Sequence, residues 1–481
     1  MRKLVGTRVI GFILILLPFF IGAQPSPEGG LMTFLESQKT RFSDVAMQIW
    51  DWAEVGYQEE KSAALLRSEL EKEGFRIQKG VAGIPTAFIA EAGSGEPVIA
   101  ILGEYDALPG VAQEAVPFQK PIEGQIAGHA CGHHLFGAGS ALASIAVKNW
   151  LENSGNSGTI RFYGTPAEEG GAGKVYLVRE GLFDDVDAVL HWHPGNQNSA
   201  DARSSLANKS AKFRFYGNAS HASSAPWFGR SALDGVEAMN HMVNMMREHI
   251  PQESRIHYVI TSGGEAPNVV PAYAEVYYYV RHPLMSQVKE NFEWVVKAAE
   301  GAAIGTGTRM EYEVIHGIFN VLPNESLANV MFKNLNLVGG VEYSEKETAF
   351  AEEIKTTLAN PYANLENARV VQPFKVVERG TGGSTDVGDI SWVAPTAGLS
   401  AATWVPGTPA HSWQAVASGG TSIGTKGMMV AAKTLAMTAV ELMQSSEILE
   451  KANEELLRRR GVDFKYESLL GDREPPLDYR K

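Results

Sequence analysis

The sequence predicts an α/β protein of two domains, in which a mainly parallel sheet carries an inserted unit of βαββαβ order. Short apolar runs alternate with helix-like stretches up to about residue 206, which is typical of a parallel sheet flanked by helices. Between residues 207 and 322 the segments follow the order βαββαβ of a ferredoxin-like sandwich. A chain of 481 residues is also too long for one compact core. We therefore expect a first domain over residues 30–206 and 323–449, with an inserted domain over 207–322.

The part of the first domain before the insertion is predicted from five segments. Apolar residues recur at helical spacing over residues 31–53 and 61–73. Short apolar runs at 97–102, 158–163 and 186–192 have the length of buried strands. In such a sheet the ligand lies beyond the carboxyl ends of the strands, where ionisable residues follow each of these runs. Those residues are Glu104 and Asp106, Glu168 and Glu169, and His193.

The inserted domain is predicted from six segments, after which the chain returns to the first domain. A helix over 424–444 is expected to cover the sheet, whereas the charged tail over 450–481 has no core pattern and is expected to wrap the surface or stay mobile. Four methionines on the first inserted helix serve the core of that domain or a contact with a second chain, and the core is the stronger interpretation for most of them. They are Met239, Met242, Met245 and Met246. The six segments are strand 211–216, helix 232–249, strands 256–261 and 274–281, helix 287–303 and strand 310–315.

Residues 1–23 have the pattern of a secretory signal peptide. Three basic residues precede an apolar run over residues 9–21, and small residues follow it. The run is too short to cross a bilayer comfortably, although an uncleaved membrane anchor is the alternative. Cys131 is the only cysteine, so disulfides are excluded. We therefore expect an exported protein, periplasmic or secreted.

The densest group of potential metal ligands lies at Gly128–His134. This segment holds three of the chain's 12 histidines and its only cysteine. Cys131 and His133 are two positions apart with a glycine between them, so a tight turn can aim a thiolate and an imidazole at one metal ion. The alternative is a buried cysteine beside surface histidines.

Three further groups carry the same ligand chemistry. Glu168 and Glu169 follow a strand, and adjacent carboxylates on an extended backbone diverge, so one can bind a metal while the other faces a substrate. Two solvated loop glutamates are the alternative. His191 and His193 share a strand face, but the proline that follows ends the strand, so only one of them needs to reach the site. With His411, these groups together favour a metal site.

Five motifs are ordered along the chain as Tyr105–Pro109, Gly128–His133, Pro166–Glu169, Asp187–His193 and His411. This ordered set resembles the aminoacylase and carboxypeptidase family of metallo-amidohydrolases, and it is far more specific than any single motif. The resemblance covers about residues 35–470. Two later segments, Ser384–Asp389 and Gly407–Trp413, are similar to the aminobenzoyl-glutamate hydrolase branch of that family.

The resemblance implies a metal-dependent hydrolase of the amide bond in N-acyl or aroyl amino acids or dipeptides. It makes Glu168 the general base and gives catalytic roles to Asp106 and His221, the latter by reaching the active site of a partner subunit in a homodimer. It places Asn268 and Arg281 at the carboxylate of the substrate. The implied ligands of one or two Zn²⁺ or Mn²⁺ ions are Cys131, His133, Glu169, His193 and His411.

The sequence departs from the family pattern near two of these motifs. His134 stands where relatives commonly have Asp or Asn, and it is either a further ligand or a residue that supports one. Leu102 and Glu104 replace the arginine and the first aspartate that often precede the Asp-Ala-Leu-Pro motif. These changes leave the number of metal ions open.

Other classes of protein are weighed against the hydrolase. A dehydrogenase is excluded because Leu142 stands where the dinucleotide-binding loop that would begin at Gly137 needs its third glycine. The net charge of −13 argues against a nucleic-acid partner. An exported metal-containing protein that binds peptides or amino-acid conjugates without cleaving them is the alternative function. Glu168 argues against it, because a pure binder has no use for a base beside a metal-activated water.

Overall fold

The computed structural model describes residues 27–480, so the predicted signal peptide at 1–23 lies outside the described residues. Two sheets dominate this span, one with six strands and one with four. Within it, no helix combines the length and the apolar character needed to cross a membrane. The predicted α/β fold class with a mostly parallel central sheet is confirmed.

The strands within the described residues are, in chain order, β1 Arg76–Lys79, β2 Phe88–Ser94, β3 Val98–Gly103, β4 Leu108–Pro109, β5 Ala127–Gly128, β6 Gly158–Gly164, β7 Ala188–Gly195, β8 Ala202–Arg203, β9 Ala207–Tyr216, β10 Arg255–Ser262, β11 Tyr273–His282, β12 Arg309–Ile318, β13 Val376–Val377 and β14 Thr396–Ala402. The six-stranded sheet has the order β1-β2-β6-β3-β7-β14. The strands β6, β3, β7 and β14 run parallel to one another. At one edge β2 runs antiparallel to β6, and β1 runs antiparallel to β2. The central strands are almost wholly apolar because helices cover both faces of the sheet.

Two long helices, α4 (His133–Ser154) and α12 (Ser422–Met443), pack against each other and against this sheet. Both are buried over most of their length, which explains why they lack a polar face. The single helix predicted over 31–53 is in fact two helices that break at Gln38. The helices are α1 Pro27–Ser37, α2 Lys39–Trp52, α3 Glu60–Lys72, α4 His133–Ser154, α5 Gly173–Arg179, α6 Ala232–Met246, α7 Met285–Thr306, α8 Glu325–Val338, α9 Glu345–Lys355, α10 Val387–Ser391, α11 Trp413–Gly419, α12 Ser422–Met443 and α13 Ser446–Arg460, with 3₁₀ turns at Val81–Gly83, Pro226–Phe228, Arg247–His249 and Leu365–Ala368.

The inserted domain is a four-stranded antiparallel sheet in the order β10-β11-β9-β12, packed against α6 and α7. Its elements follow the βαββαβ order that the sequence predicts. Ser231 caps α6 by accepting a hydrogen bond from the backbone N–H of Asp234. Met239 and Met246 lie in the core of this domain and the partly buried Met242 packs against it, whereas Met245 is exposed. The core interpretation therefore holds for three of the four methionines.

The charged tail over 450–481, in which the sequence shows no core pattern, does contribute residues to both hydrophobic cores. The helix α13 continues to Arg460, and the later Leu469 and Leu470 are buried. Leu469 belongs to the core of the inserted domain and Leu470 to the core of the first domain. Two adjacent leucines in a polar segment show no helical or strand periodicity, so the pattern gave no signal.

Candidate metal centre

The turn before α4 aims two predicted ligands at one place. Gly132 adopts φ +80°, a left-handed conformation that glycine reaches without steric cost. A Cβ at this position would lie 2.6 Å from the Cβ of Pro194, so only glycine fits between the turn and β7. Cys131 therefore precedes the turn and His133 opens α4 directly after it.

All five predicted metal ligands lie together. The ligand atoms of Cys131, His133 and His193 are within 4.8 Å of one another, and so are those of Cys131, Glu169 and His411. The Sγ of Cys131 is 3.4 Å from the Nε2 of His193. Two ligand sets that share one thiolate could hold two neighbouring divalent ions.

The buried polar atoms around this space fit a bound cation. Among residues 27–480, His133 Nε2, Glu104 Oε2 and Glu169 Oε1 are buried without a hydrogen-bond partner. His133 Nε2 is 3.0 Å from Glu104 Oε2, and His411 Nε2 is 3.3 Å from Glu169 Oε1, yet neither pair has hydrogen-bond geometry. Leaving buried polar atoms unpaired is costly, and a metal ion between them would satisfy them.

The protonation of Cys131 supports the same conclusion. Burial raises the pKa of its thiol, and the opposing effect of nearby His133 does not compensate. A thiolate at this position therefore needs additional positive charge beside it, which a divalent ion supplies.

Asp106 supports two ligands from behind. His133 Nδ1 donates a hydrogen bond to Asp106 Oδ1 at 2.8 Å, and the backbone N–H of Glu169 donates to Oδ2 at 2.8 Å. Because Nδ1 of His133 is the donor, its Nε2 lone pair is free for a metal. These two hydrogen bonds orient Asp106 behind two predicted ligands, and the catalytic role that the resemblance implies for Asp106 stays a prediction.

The two adjacent glutamates join different groups of potential ligands, although they lie in a turn and not on the extended backbone from which their divergence was predicted. Glu169 shares a ligand set with the thiolate, whereas the carboxylate of Glu168 groups with Glu104 and His133. Burial raises the pKa of Glu168, and the neighbouring Glu104 and Glu169 raise it further. Ala167, just before the pair, holds φ +58°, an unfavourable conformation for a residue other than glycine. A carboxylate held in this way beside the ligand space can exchange protons with a reactant.

A fully buried lysine beside the ligands was missed by the sequence analysis. The Nζ of Lys174 lies 2.6 Å from Glu104 Oε1 and 2.7 Å from Asp386 Oδ1. Burial opposes the charged form, but Asp386 and Glu104 outweigh it and raise the pKa of Lys174. The lysine therefore offsets the negative charge gathered behind Glu168. The sequence did carry one sign of this buried charge, because Lys174 lies in the mostly apolar helix α5, shortly after the glutamate pair.

The remaining predicted site residues lie in the inserted domain and join none of the ligand groups within residues 27–480. His221 is exposed, and its Nδ1 accepts hydrogen bonds from the backbone N–H groups of Ser223 and Ser224, so Nε2 carries the proton. Asn268 lies beside it, because its carbonyl accepts the N–H of Ala222 at 3.0 Å. The guanidinium of Arg281 lies over the ring of Tyr279, and its Nε has no hydrogen-bond partner in the described span.

Two other histidines near the ligands are directed elsewhere. His134 donates a hydrogen bond from Nε2 to the carbonyl of Gly419 and packs its ring 4.9 Å from that of His129. A Cβ on Gly398 would lie 2.4 Å from the ring of His191, so that ring is pressed against β14. Of the pair on β7, only His193 joins a ligand group in the described part of the chain.

A cavity of about 440 Å³ opens along the face of β7 and β14 beside the ligands. It is lined by His193, by Ser400 on β14, and by Ser204 and Val321 where the chain enters and leaves the inserted domain. Its volume is in the range of small-molecule sites. Of the five predicted ligands only His193 lines it, so the cavity adjoins the candidate metal centre through that one residue.

We expect Asp106→Asn to weaken metal binding about tenfold to a hundredfold, because the amide holds His133 and the Glu169 backbone less well than the carboxylate does. Metal affinity measured by chelator competition checks this. Asp201→Asn, which changes a carboxylate that lines the cavity but joins no ligand group in the described span, is the control and should bind metal normally. Unchanged affinity in Asp106→Asn would contradict the positioning role.

The sequence model of Peptidase family M20/M25/M40 matches residues 100–436. The chain is 44% identical over 449 residues to one of the subunits of the p-aminobenzoyl-glutamate hydrolase of Escherichia coli (strain K12), covering 88% of this chain and 93% of that protein. It is 29% identical over 440 residues to the Xaa-Arg dipeptidase of Homo sapiens, covering 88% and 90% respectively.

Solved structures share the fold. A dinuclear metal binding peptidase of Bacillus subtilis superimposes with a TM-score of 0.58 at 20% identity, over 85% of this chain and 99% of that one. The aminobenzoyl-glutamate utilization protein of Klebsiella pneumoniae gives a TM-score of 0.57 at 18% identity, over 85% and 98%. The two-domain architecture with an inserted sheet is thus shared at low sequence identity.

Proposed function

The chain belongs to peptidase family M20/M25/M40 and is a hydrolase that acts on amide bonds, and from this premise we propose that it cleaves N-acyl or aroyl amino acids or dipeptides with a metal-activated water. The observation that carries the proposal is the divergence of two adjacent carboxylates. Glu169 lies among the metal ligands, while Glu168 faces the same space with a raised pKa.

The chain's own residues account for the proton transfers. A divalent ion held by the two ligand sets would lower the pKa of a water and polarise the scissile carbonyl. Glu168 accepts the proton of the attacking water and later delivers it to the leaving amine. Asp106 holds the Nδ1 proton of His133 and so directs its Nε2 at the ligand space, and Lys174 limits the build-up of negative charge around Glu168. One carboxylate therefore serves as base and then as acid.

The bound metal is one or two Zn²⁺ or Mn²⁺ ions. Thiolate and imidazole ligands favour zinc over magnesium or calcium, and the carboxylate of Glu169 also suits manganese. Two ligand sets that meet at Cys131 favour two ions.

The substrate carries a free carboxylate, with aminobenzoyl-glutamate as the leading candidate. A relative 44% identical over most of the chain is named as part of a p-aminobenzoyl-glutamate hydrolase. Arg281 is suited to bind the carboxylate, because its guanidinium has donor capacity that no described residue satisfies. Asn268, beside His221, contributes a second donor from the same domain.

The experiment that tests the function measures release of amine from a panel of N-acyl amino acids and dipeptides, with and without a chelator. The expected result is hydrolysis that the chelator abolishes and added Zn²⁺ or Mn²⁺ restores. A protein that binds these compounds tightly and releases no amine would instead support the alternative, a metal-containing binding protein.

We expect Arg281→Lys to raise the KM for carboxylated substrates about tenfold while kcat changes little, because a lysine keeps the charge but cannot donate two parallel hydrogen bonds to a carboxylate. Steady-state kinetics on the best substrate of the panel measure this. Arg309→Lys, on the exposed end of β12, is the control and should leave KM unchanged. An unchanged KM in Arg281→Lys would remove Arg281 from substrate binding.

The protein acts as a homodimer in which His221 completes the site of the partner subunit. His221 is exposed, far in sequence from the metal ligands, and presents a protonated Nε2 that can stabilise an oxyanion. The E. coli relative is named as one subunit of its enzyme, which supports action in an assembly of more than one chain.

The protein is exported, because residues 1–23 carry the signal-peptide pattern. The mass of the protein recovered from the periplasm or medium would reveal removal of this segment. Recovery only in the cytoplasm at full length would contradict export.

A further inference from the structure

The last residues of the described chain connect the inserted domain to the candidate metal centre. We call residues 461–480 the C-terminal strap. At its start Leu469 packs into the core of the inserted domain and Leu470 into that of the first domain. The approach is close, since a Cβ on Gly317 of β12 would lie 2.7 Å from the Cβ of Leu469.

The middle of the strap is held from both domains. Arg473 donates hydrogen bonds from Nη1 to the carbonyls of Val314 and Ile315 on β12, at 2.8 and 2.5 Å. On the opposite side Arg179, at the end of α5, donates from Nη1 to the carbonyl of Arg473 at 2.6 Å. The strap is therefore a third connection between the domains, besides the two crossings of the chain.

The end of the strap reaches a metal ligand. Tyr479 donates its hydroxyl to the carbonyl of Glu169 at 3.2 Å, and Arg480 donates from Nη2 to the same carbonyl at 2.8 Å. The hydroxyl of Tyr479 fits a slot that only glycine leaves open, because a Cβ on Gly56 would lie 2.3 Å from it. The ring of Tyr57 packs edge-on against that of Tyr479, with centroids 5.6 Å apart.

Both peptide groups of Glu169 are thereby fixed from opposite sides. Its N–H donates to Asp106, and its carbonyl accepts from Tyr479 and Arg480. The surrounding turn needs such support, because Ala167 and Ala172 both hold positive φ without being glycine.

We propose that Tyr479 and Arg480 are positioning residues, which hold the turn over residues 166–172 in its ligand-binding shape and tie it to the inserted domain. The inference deepens the proposed function, on which its kinetic consequences rest. Its structural consequences, in the turn and in metal affinity, can be measured without any substrate.

The test combines Tyr479→Phe with Arg480→Gln in the full chain, beside Asp478→Asn, an exposed charge change in the same segment, as control. We expect about tenfold weaker binding of Zn²⁺ in chelator competition, because residues that orient metal ligands have effects of this size. We also expect faster hydrogen exchange of the amides over 166–172, and a fall of about tenfold in kcat with little change in KM. Arg480→Lys, which keeps a donor, should retain most of the metal affinity.

Zinc affinity and exchange equal to those of Asp478→Asn would overturn the proposal. If the double variant folds poorly, Tyr479→Phe alone removes one hydroxyl, and it must still speed exchange at 166–172 for the proposal to stand. If the unmodified chain shows chelator-sensitive hydrolysis while the double variant leaves exchange over 166–172 unchanged, the positioning role is refuted and the proposed function stands. If the double variant disturbs the turn but the unmodified chain hydrolyses no compound of the panel, the positioning role stands and the proposed function is refuted.

Discussion

Replacing Glu168 with glutamine is expected to lower turnover by at least about a hundredfold while leaving the metal content unchanged. The amide keeps the shape of the side chain but cannot accept a proton from the attacking water. Glu168 is separate from the two sets of ligand atoms that meet at Cys131, so its replacement removes the base without removing a ligand of either set. Turnover on the best panel substrate and elemental analysis of the purified variant measure the two effects.

Two further variants make this result specific. Glu169→Gln is expected to lose metal as well as activity, because Glu169 belongs to a ligand set. Glu180→Gln, an exposed change at the end of α5, should behave like the unmodified protein. Near-normal turnover of Glu168→Gln would exclude Glu168 as the base.

Loss of His221 is expected to lower turnover by about a hundredfold or more, and the loss should be partly reversible by mixing subunits. His221→Ala and Glu168→Gln are each nearly inactive alone. After subunit exchange, half of the dimers are mixed and each has one site with both residues intact, so about a quarter of the sites recover. Activity before and after exchange measures this directly.

The matched control mixes Glu168→Gln with a chain that carries both substitutions. No chain in that mixture has Glu168, so no recovery is expected. If exchange is proven by mass or fluorescence and the first mixture also stays inactive, His221 acts within its own chain or lies outside the chemistry.

The metal ligands could be predicted because each lies in a short segment with a recognisable composition. Cys131 and His133 are two residues apart, and Glu169 follows a strand, so local pattern and sheet geometry suffice to bring them together. His193 lies close to the carboxyl end of its strand as predicted, but Pro194 does not end β7, which continues to pair with β14 as far as Gly195. The separation of the two glutamates was predicted from strand alternation, which does not apply because both residues lie in a turn.

The supporting residues could not be predicted because their partners are distant in sequence. Lys174 pairs with Asp386, 212 positions later, and no local pattern marks that contact. Tyr479 and Arg480 reach Glu169 from 310 and 311 positions away. Such contacts depend on tertiary packing, which composition and periodicity do not encode.

Element boundaries show a similar limit. The predicted strands at 211–216 and 310–315 are longer in the structure, because β9 and β12 continue to pair as far as Asn208 and Ile318. Polar residues at these ends interrupt the apolar alternation but still form ladder hydrogen bonds. The prediction therefore ended the strands where the side-chain pattern ended, not where the pairing ends.

The pairing of β9 with β12 has a consequence for how such chains diversify. Because the first and last strands of the inserted domain are neighbours, the whole insert can be exchanged in recombination as one continuous cassette with closely spaced junctions. Exchange of this segment alone would leave its hydrophobic core without one of its residues, however. Leu469 packs in that core but is encoded some 150 residues downstream of the insert. A chimera must therefore take its insert and its C-terminal segment from the same parent, and these two stretches should diverge together among relatives.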